Sequence, residues 1–219
     1  MAQLLSDRNS ANICLNTVKR HIRLCRQIKG AEVLATAIEP CYNDLVAKVA
    51  VIAQANEASD LKRDQVLLKD ALLDDKVRDL FEACKKFERD NPGQLVTSLL
   101  FPDGLSSIIY APLESEPGDV ERLMIGIGNL GEGHLLAAHI SLLQLAVDEC
   151  KAALAEMKEA LKAVKTAEAF EDISKMNLSR QYEQNLYAAE SKFGKRYANR
   201  LFPAISTPKK EVTQEEKKE

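Results

Sequence analysis

Tryptophan is absent from the 219 residues, and aromatic side chains amount to only 5%. A core built from this chain must therefore come from Leu, Ile, Val and Ala. Glycine (9) and proline (7) are scarce, which suits long regular elements with few turns. No CxxC pair occurs among Cys14, Cys25, Cys41, Cys84 and Cys150; their odd number and wide spacing argue against a disulfide framework. Buried thiols acting as small hydrophobes in a reducing compartment fit them better. The longest apolar run, Leu135 to Val147, is interrupted by His139 and Gln144 and is too short to cross a bilayer. The first residues, MAQLLSDRNSANICLN, lack the basic and apolar regions of a secretory signal, so a cytoplasmic location is expected. The net charge of −3 selects neither nucleic acid nor membrane as the partner of the whole molecule.

Catalytic motifs are lacking too. There is no Gly-x-Ser-x-Gly and no GxxxxGK[ST] loop. Gly126-Ile-Gly-Asn-Leu-Gly131 matches G-x-G-x-x-G in letters, but the dinucleotide site needs a parallel βαβ sheet that no set of strands here can supply. A hinge leading into the next helix is the expected role. Glu132, His134 and His139 form the one histidine-rich segment and are weak metal candidates. The two histidines lie five apart, about 140° around a helix, so they diverge. The carboxylate-x-x-His motif of di-iron bundles is missing. No cofactor is expected.

What is present is helical periodicity. Ala11, Leu15, Val18, Ile22 and Cys25 mark a first helix over about 10–29, with Gly30 as its stop. A second, about 31–56, carries Ile38, Tyr42, Leu45, Val49 and Ile52, with Pro40 either kinking it or opening it. A third, about 61–89, carries Val66, Leu73, Val77, Leu80, Cys84 and Phe87, with Asp74 and Asp75 as a possible division. Residues 94–118, with Pro102, Pro112 and Pro117, read as an irregular connection and the favoured surface for a partner. The longest stripe runs from near Glu132 through Leu136, Ile140, Leu143, Val147, Cys150, Leu154, Met157, Leu161 and Val164. Its alanine flank (Ala146, Ala153, Ala160) favours a bundle helix over a coiled-coil rod. A last helix is expected over about 178–200, followed by a disordered charged tail over 205–219.

These features predict an all-α, multi-helix up-down bundle of long amphipathic helices. Residues 1–9 would be a lead-in and 10–204 a single domain. Leu80-Phe-Glu-Ala-Cys-Lys-Lys-Phe87 followed by Leu100-Phe-Pro102 parallels Leu186-Tyr-Ala-Ala-Glu-Ser-Lys-Phe193 followed by Leu201-Phe-Pro203. Two duplicated helical hairpins, 31–104 and 119–204, are one explanation, and a common helix pattern is the other.

For function the sequence supports a non-enzymatic bundle engaged in protein–protein interaction, scaffolding or assembly, with a protein partner or self-association. A small-ligand or metal-binding bundle is one alternative. Nucleic-acid binding through the basic first helix is another. That helix carries Lys19, Arg20, Arg23, Arg26 and Lys29 with no acidic residue between Asp7 and Glu32. The expected fate of these cations is pairing with acidic residues of the same bundle, such as Asp70, Asp74, Asp75 and Asp79, in preference to contact with a partner or anion.

Overall fold

The computed structural model describes residues 3–6 and 8–205. Among the described residues seven α-helices follow one another: α1 (Ala11–Arg26), α2 (Glu32–Asp90), α3 (Val96–Leu100), α4 (Ser106–Ile109), α5 (Glu116–Gly128), α6 (Ile140–Phe193) and α7 (Lys195–Ala198). A 3-10 turn, Leu135–His139, leads into α6. No strand occurs among the described residues, and the fold is an all-α helical bundle. The expected charged tail, apart from Ile205, lies outside the described residues.

Two pairs of expected helices are in fact two continuous ones. The 31–56 and 61–89 segments join in α2, and the 132–165 and 178–200 segments largely join in α6. Between Ala31 and Asn91 the only breaker is Pro40, and between His134 and Phe193 there is none. The helix runs on through Pro40, where only the N–H that would reach the Thr36 carbonyl is missing. Asp74 and Asp75 do not cap a new helix; both accept from Arg78 within the same one. The connection is also less irregular than its prolines suggested, since it holds α3 and α4. Pro117 stands in the first turn of α5, where a missing N–H costs nothing.

The chain divides into two compact units. Unit 1 takes residues up to Ala55 and from Lys165 onward. Unit 2 is the continuous run Asn56–Val164. Helices α2 and α6 contribute to both.

In unit 1, α1 starts at Ser10, whose hydroxyl accepts from the Ile13 N–H, and ends before Gly30, which adopts φ +88°. It buries Cys14, Val18, Ile22 and Cys25 against Ile38 and Leu45 of α2 and Leu178, Tyr182 and Leu186 of α6. Leu201 and Phe202 close the same core. In unit 2, Leu73, Val77, Leu80 and Cys84 of α2 meet Leu143, Val147, Cys150 and Leu154 of α6. There α2 and α6 run antiparallel: Lys62 pairs with Glu156 and Lys69 with Glu149, seven residues apart on each helix in opposite senses. Helix α5 adds Val120, Leu123 and Ile127, and Phe101 packs edge-on against Phe81. The α6 stripe is buried as far as Leu154 and still packs on the core at Met157, but Leu161 is exposed.

Both Leu-Phe-Pro exits place their phenylalanine in a core, Phe101 in unit 2 and Phe202 in unit 1. The Leu80–Phe87 and Leu186–Phe193 segments likewise sit at the C-terminal ends of α2 and α6, one in each unit.

Candidate functional site

Three places combine polar or charged groups in ways that packing alone does not require. The first is a buried carboxyl in unit 2. Glu116, the first residue of α5, is only 1% exposed. It faces Asp70 and Asp74, one turn apart on α2, and lies close to Cys150 of α6. Glu116 Oε1 and Asp74 Oδ1 are buried without a hydrogen-bond partner, while Asp74 Oδ2 accepts from Arg78 at 3.0 Å. Oxygens alone cannot bond to one another, so a proton on Glu116 supplies the donor that this set lacks. Burial, and after it the neighbouring Asp70 and Asp74, pushes the Glu116 pKa up to about 9. Both causes act in the same direction and favour the neutral carboxyl. Letters alone hid this, because an acidic residue in a first helical turn ordinarily just faces the helix dipole in water.

The second place is a polar knot in the core of unit 1. His21 Nδ1 donates to the Leu201 carbonyl at 2.9 Å, and its Nε2 accepts from Asn185 Nδ2 at 3.1 Å. Asn185 Nδ2 also donates to the Leu34 carbonyl at 2.8 Å. These bonds fix the imidazole as the Nδ1–H tautomer, and burial lowers its pKa against the opposing effect of the Leu201 bond. The ring packs against Phe202, centroids 4.4 Å apart, and edge-on to Tyr182 at 5.2 Å. One side chain from α1 and one from α6 thereby tie α2 and the segment after α7 together. The arrangement holds a neutral imidazole with both nitrogens engaged, which leaves no lone pair for a ligand. Thiol chemistry is equally suppressed: burial pushes Cys25 up to about 12 and Cys84 and Cys150 to about 11.

The third place is the basic face of α1. Lys19, Arg20, Arg23, Arg26 and Lys29 are all exposed. The expected pairing with Asp70, Asp74, Asp75 and Asp79 does not occur. Those residues belong to unit 2, where Asp74 and Asp75 bind Arg78, and Asp79 binds Lys76. Arg26 pairs instead with Glu39 of α2, and Lys19, Arg20, Arg23 and Lys29 make no ion pair among the described residues. The small net charge of the whole chain hides a strong division. Apart from 206–219, the segments of unit 1 carry fourteen Lys and Arg against nine Asp and Glu. Unit 2 carries twelve against twenty.

The remaining candidates have local structural roles. His134 Nδ1 accepts from the Leu136 N–H and caps the 3-10 turn, its ring 4.6 Å from Phe87. His139 ends that turn, and Glu132 is exposed in the loop before it. No three His, Cys, Asp or Glu side chains stand together as a metal-holding group among the described residues. The glycine motif is not a hinge in its first half: Gly126 and Gly128 belong to α5. At Gly126 a Cβ would come within 2.8 Å of the Leu100 side chain, so the glycine admits the close approach of α3. Only Gly131 and Gly133, both at positive φ, bend the loop toward α6.

Between α3, α4 and α5 lies a cleft of about 370 Å³ in unit 2, floored by Leu100, Phe101, Ile108 and Leu123. Leu99 stands at its lip, and Leu95, one turn earlier, is 72% exposed. No helix among the described residues is long and apolar enough to cross a membrane. No protein-family model, curated protein or solved structure matches the chain.

Proposed function

We propose that the protein works by association and not by catalysis, as a cytoplasmic interaction or assembly subunit that receives an apolar segment of a protein partner at the α3–α5 cleft. The observation that carries this reading is the pair Leu95 and Leu99, 72% and 64% exposed beside an apolar floor. Large exposed aliphatic side chains one turn apart, one of them lining a cleft, are an unusual use of surface unless a partner covers them. Ser107, Asp119 and Arg122 supply a polar rim. Five free thiols, four of them buried, suit a reducing compartment.

A photo-crosslinking residue in place of Leu99, introduced in native cells, tests the proposal. A discrete crosslinked protein, lost when Leu95→Glu is added, is the expected result. Neither side chain supports the core, so the substitutions leave the fold in place. Light scattering over a concentration series then tells a second copy from another protein. No discrete product at position 99, in a chain that folds normally, would remove the idea.

A further inference from the structure

Unit 1 leaves most of the cations of α1 and α7 without an ion pair among the described residues, Arg26 with its Glu39 partner being the exception. At the C-terminal end of α6, Gly194 turns the chain at φ +77° and sets α7 beside it. The turn opens a cleft of about 530 Å³ lined by Lys195, Arg196 and Arg200 together with the rings of Phe193 and Tyr197. No acidic side chain lines it. The two rings lie 5.8 Å apart, and the Arg200 guanidinium stands 5.7 Å from the Tyr197 ring centre. Lys192 Nζ donates to the Gly30 carbonyl at 2.8 Å, which joins this cleft to the end of α1. From there Lys29 in the turn leads to Arg26, Arg23 and Lys19 on the exposed face of α1, where the last three span about 10 Å of helix.

We propose that this basic surface binds single-stranded nucleic acid, with phosphates on the α1 cations and a base stacked in the Phe193–Tyr197 cleft. The site is separate from the α3–α5 cleft and does not depend on a protein partner there. Cations alone would serve any polyanion, but cations set around the exposed Tyr197 ring fit an unpaired base. An anionic membrane fits less well. The apolar face of α1 (Cys14, Val18, Ile22, Cys25) is buried in the core and has nothing to insert. An acidic protein would leave the rings unused.

The test is fluorescence anisotropy of the full chain with a labelled mixed-sequence 20-nucleotide strand, as RNA and as DNA, beside the DNA duplex and phosphatidylserine vesicles. Single strands should bind more tightly than duplex or vesicles, and the RNA and DNA arms identify the preferred sugar. If four to six phosphates are neutralised, affinity falls roughly a hundredfold between 50 and 200 mM salt. Arg196→Glu with Arg200→Glu should abolish binding. Tyr197→Leu should weaken single-strand binding by about fivefold or more and leave the duplex unchanged, since stacking is worth about 1–3 kcal/mol per base. Lys85→Glu with Lys86→Glu, an equal charge change in unit 2, should leave affinity in place. The proposal is overturned by absence of binding at 50 mM salt, by equal binding to duplex or vesicles, by indifference to Tyr197→Leu, or by equal loss in the unit 2 control.

Discussion

Replacing Glu116 with Gln separates the proton on this carboxyl from its shape. The amide keeps a donor toward Asp70 and Asp74 but cannot ionise. In the wild type, the folded pKa of about 9 stands far above the ordinary glutamate value of 4.5. The folded state therefore holds a proton that the unfolded chain has released, and stability drains away as pH rises from about 4.5 to about 9. Each unit in that window costs about 1.4 kcal/mol. Between pH 5.5 and 7.5 the wild type should lose between about 2 and 3 kcal/mol that Glu116→Gln retains. Urea unfolding followed by far-ultraviolet circular dichroism, at both pH values on both proteins, reads this difference directly. Titrating groups outside the set of Glu116, Asp70 and Asp74 are common to the two proteins and cancel. A stability gap that stays constant within about 0.5 kcal/mol would refute the reasoning, because Glu116 would then titrate as an ordinary surface acid. His21 acts in the opposite sense. Its pKa is lowered by burial, so unit 1 loses stability as pH falls below about 6.5.

Asn185→Ala leaves His21 Nε2 without a donor in the core of unit 1, while the Leu34 carbonyl keeps its bond within α2, and should cost about 1 to 3 kcal/mol in the same urea assay. A cost below about 0.5 kcal/mol would mean that water replaces the amide. Thiol titration at pH 8 should show Cys41, the half-buried cysteine, reacting in the native protein. Cys14, Cys25, Cys84 and Cys150 should wait for denaturant; rapid reaction of several thiols would contradict the packed cores.

The apolar stripes were legible because helix period and burial coincide at residues such as Ile38, Leu73, Val147 and Leu186. What stayed hidden were the joins. Asp74-Asp75 has the letters of a helix start, yet Arg78 one turn on holds both carboxylates and lets α2 continue. The alanine flank of α6 correctly marked a bundle helix, but the exposure of Leu161 shows that a stripe does not say how far its cover extends. The charge division escaped notice because the two segments of unit 1 lie at opposite ends of the sequence, with the acidic run between them. The basic residues of α1 were visible from the start. Their lack of partners depended on Asp70 and Asp74 belonging elsewhere, which only the fold reveals. Glu116 and His21 carried no signal in their spacing, since burial alone sets them apart.

The discontinuity of unit 1 also orders events during synthesis. Unit 2 is one uninterrupted run and can close as soon as Val164 has emerged from the ribosome. The first 55 residues leave earlier with only α1 and the start of α2 to pack on each other, and without the α6 side of their core. Val18, Ile22 and Ile38 must wait for Leu178, Tyr182 and Phe202, which are made last. At about 5–20 residues per second, the 150 residues between Ala55 and Ile205 hold that apolar surface open for roughly 8 to 30 seconds. A ribosome stalled before Leu178 would therefore carry a finished acidic unit behind an unfolded, basic and sticky leading segment, a natural target for chaperones that shield nascent chains.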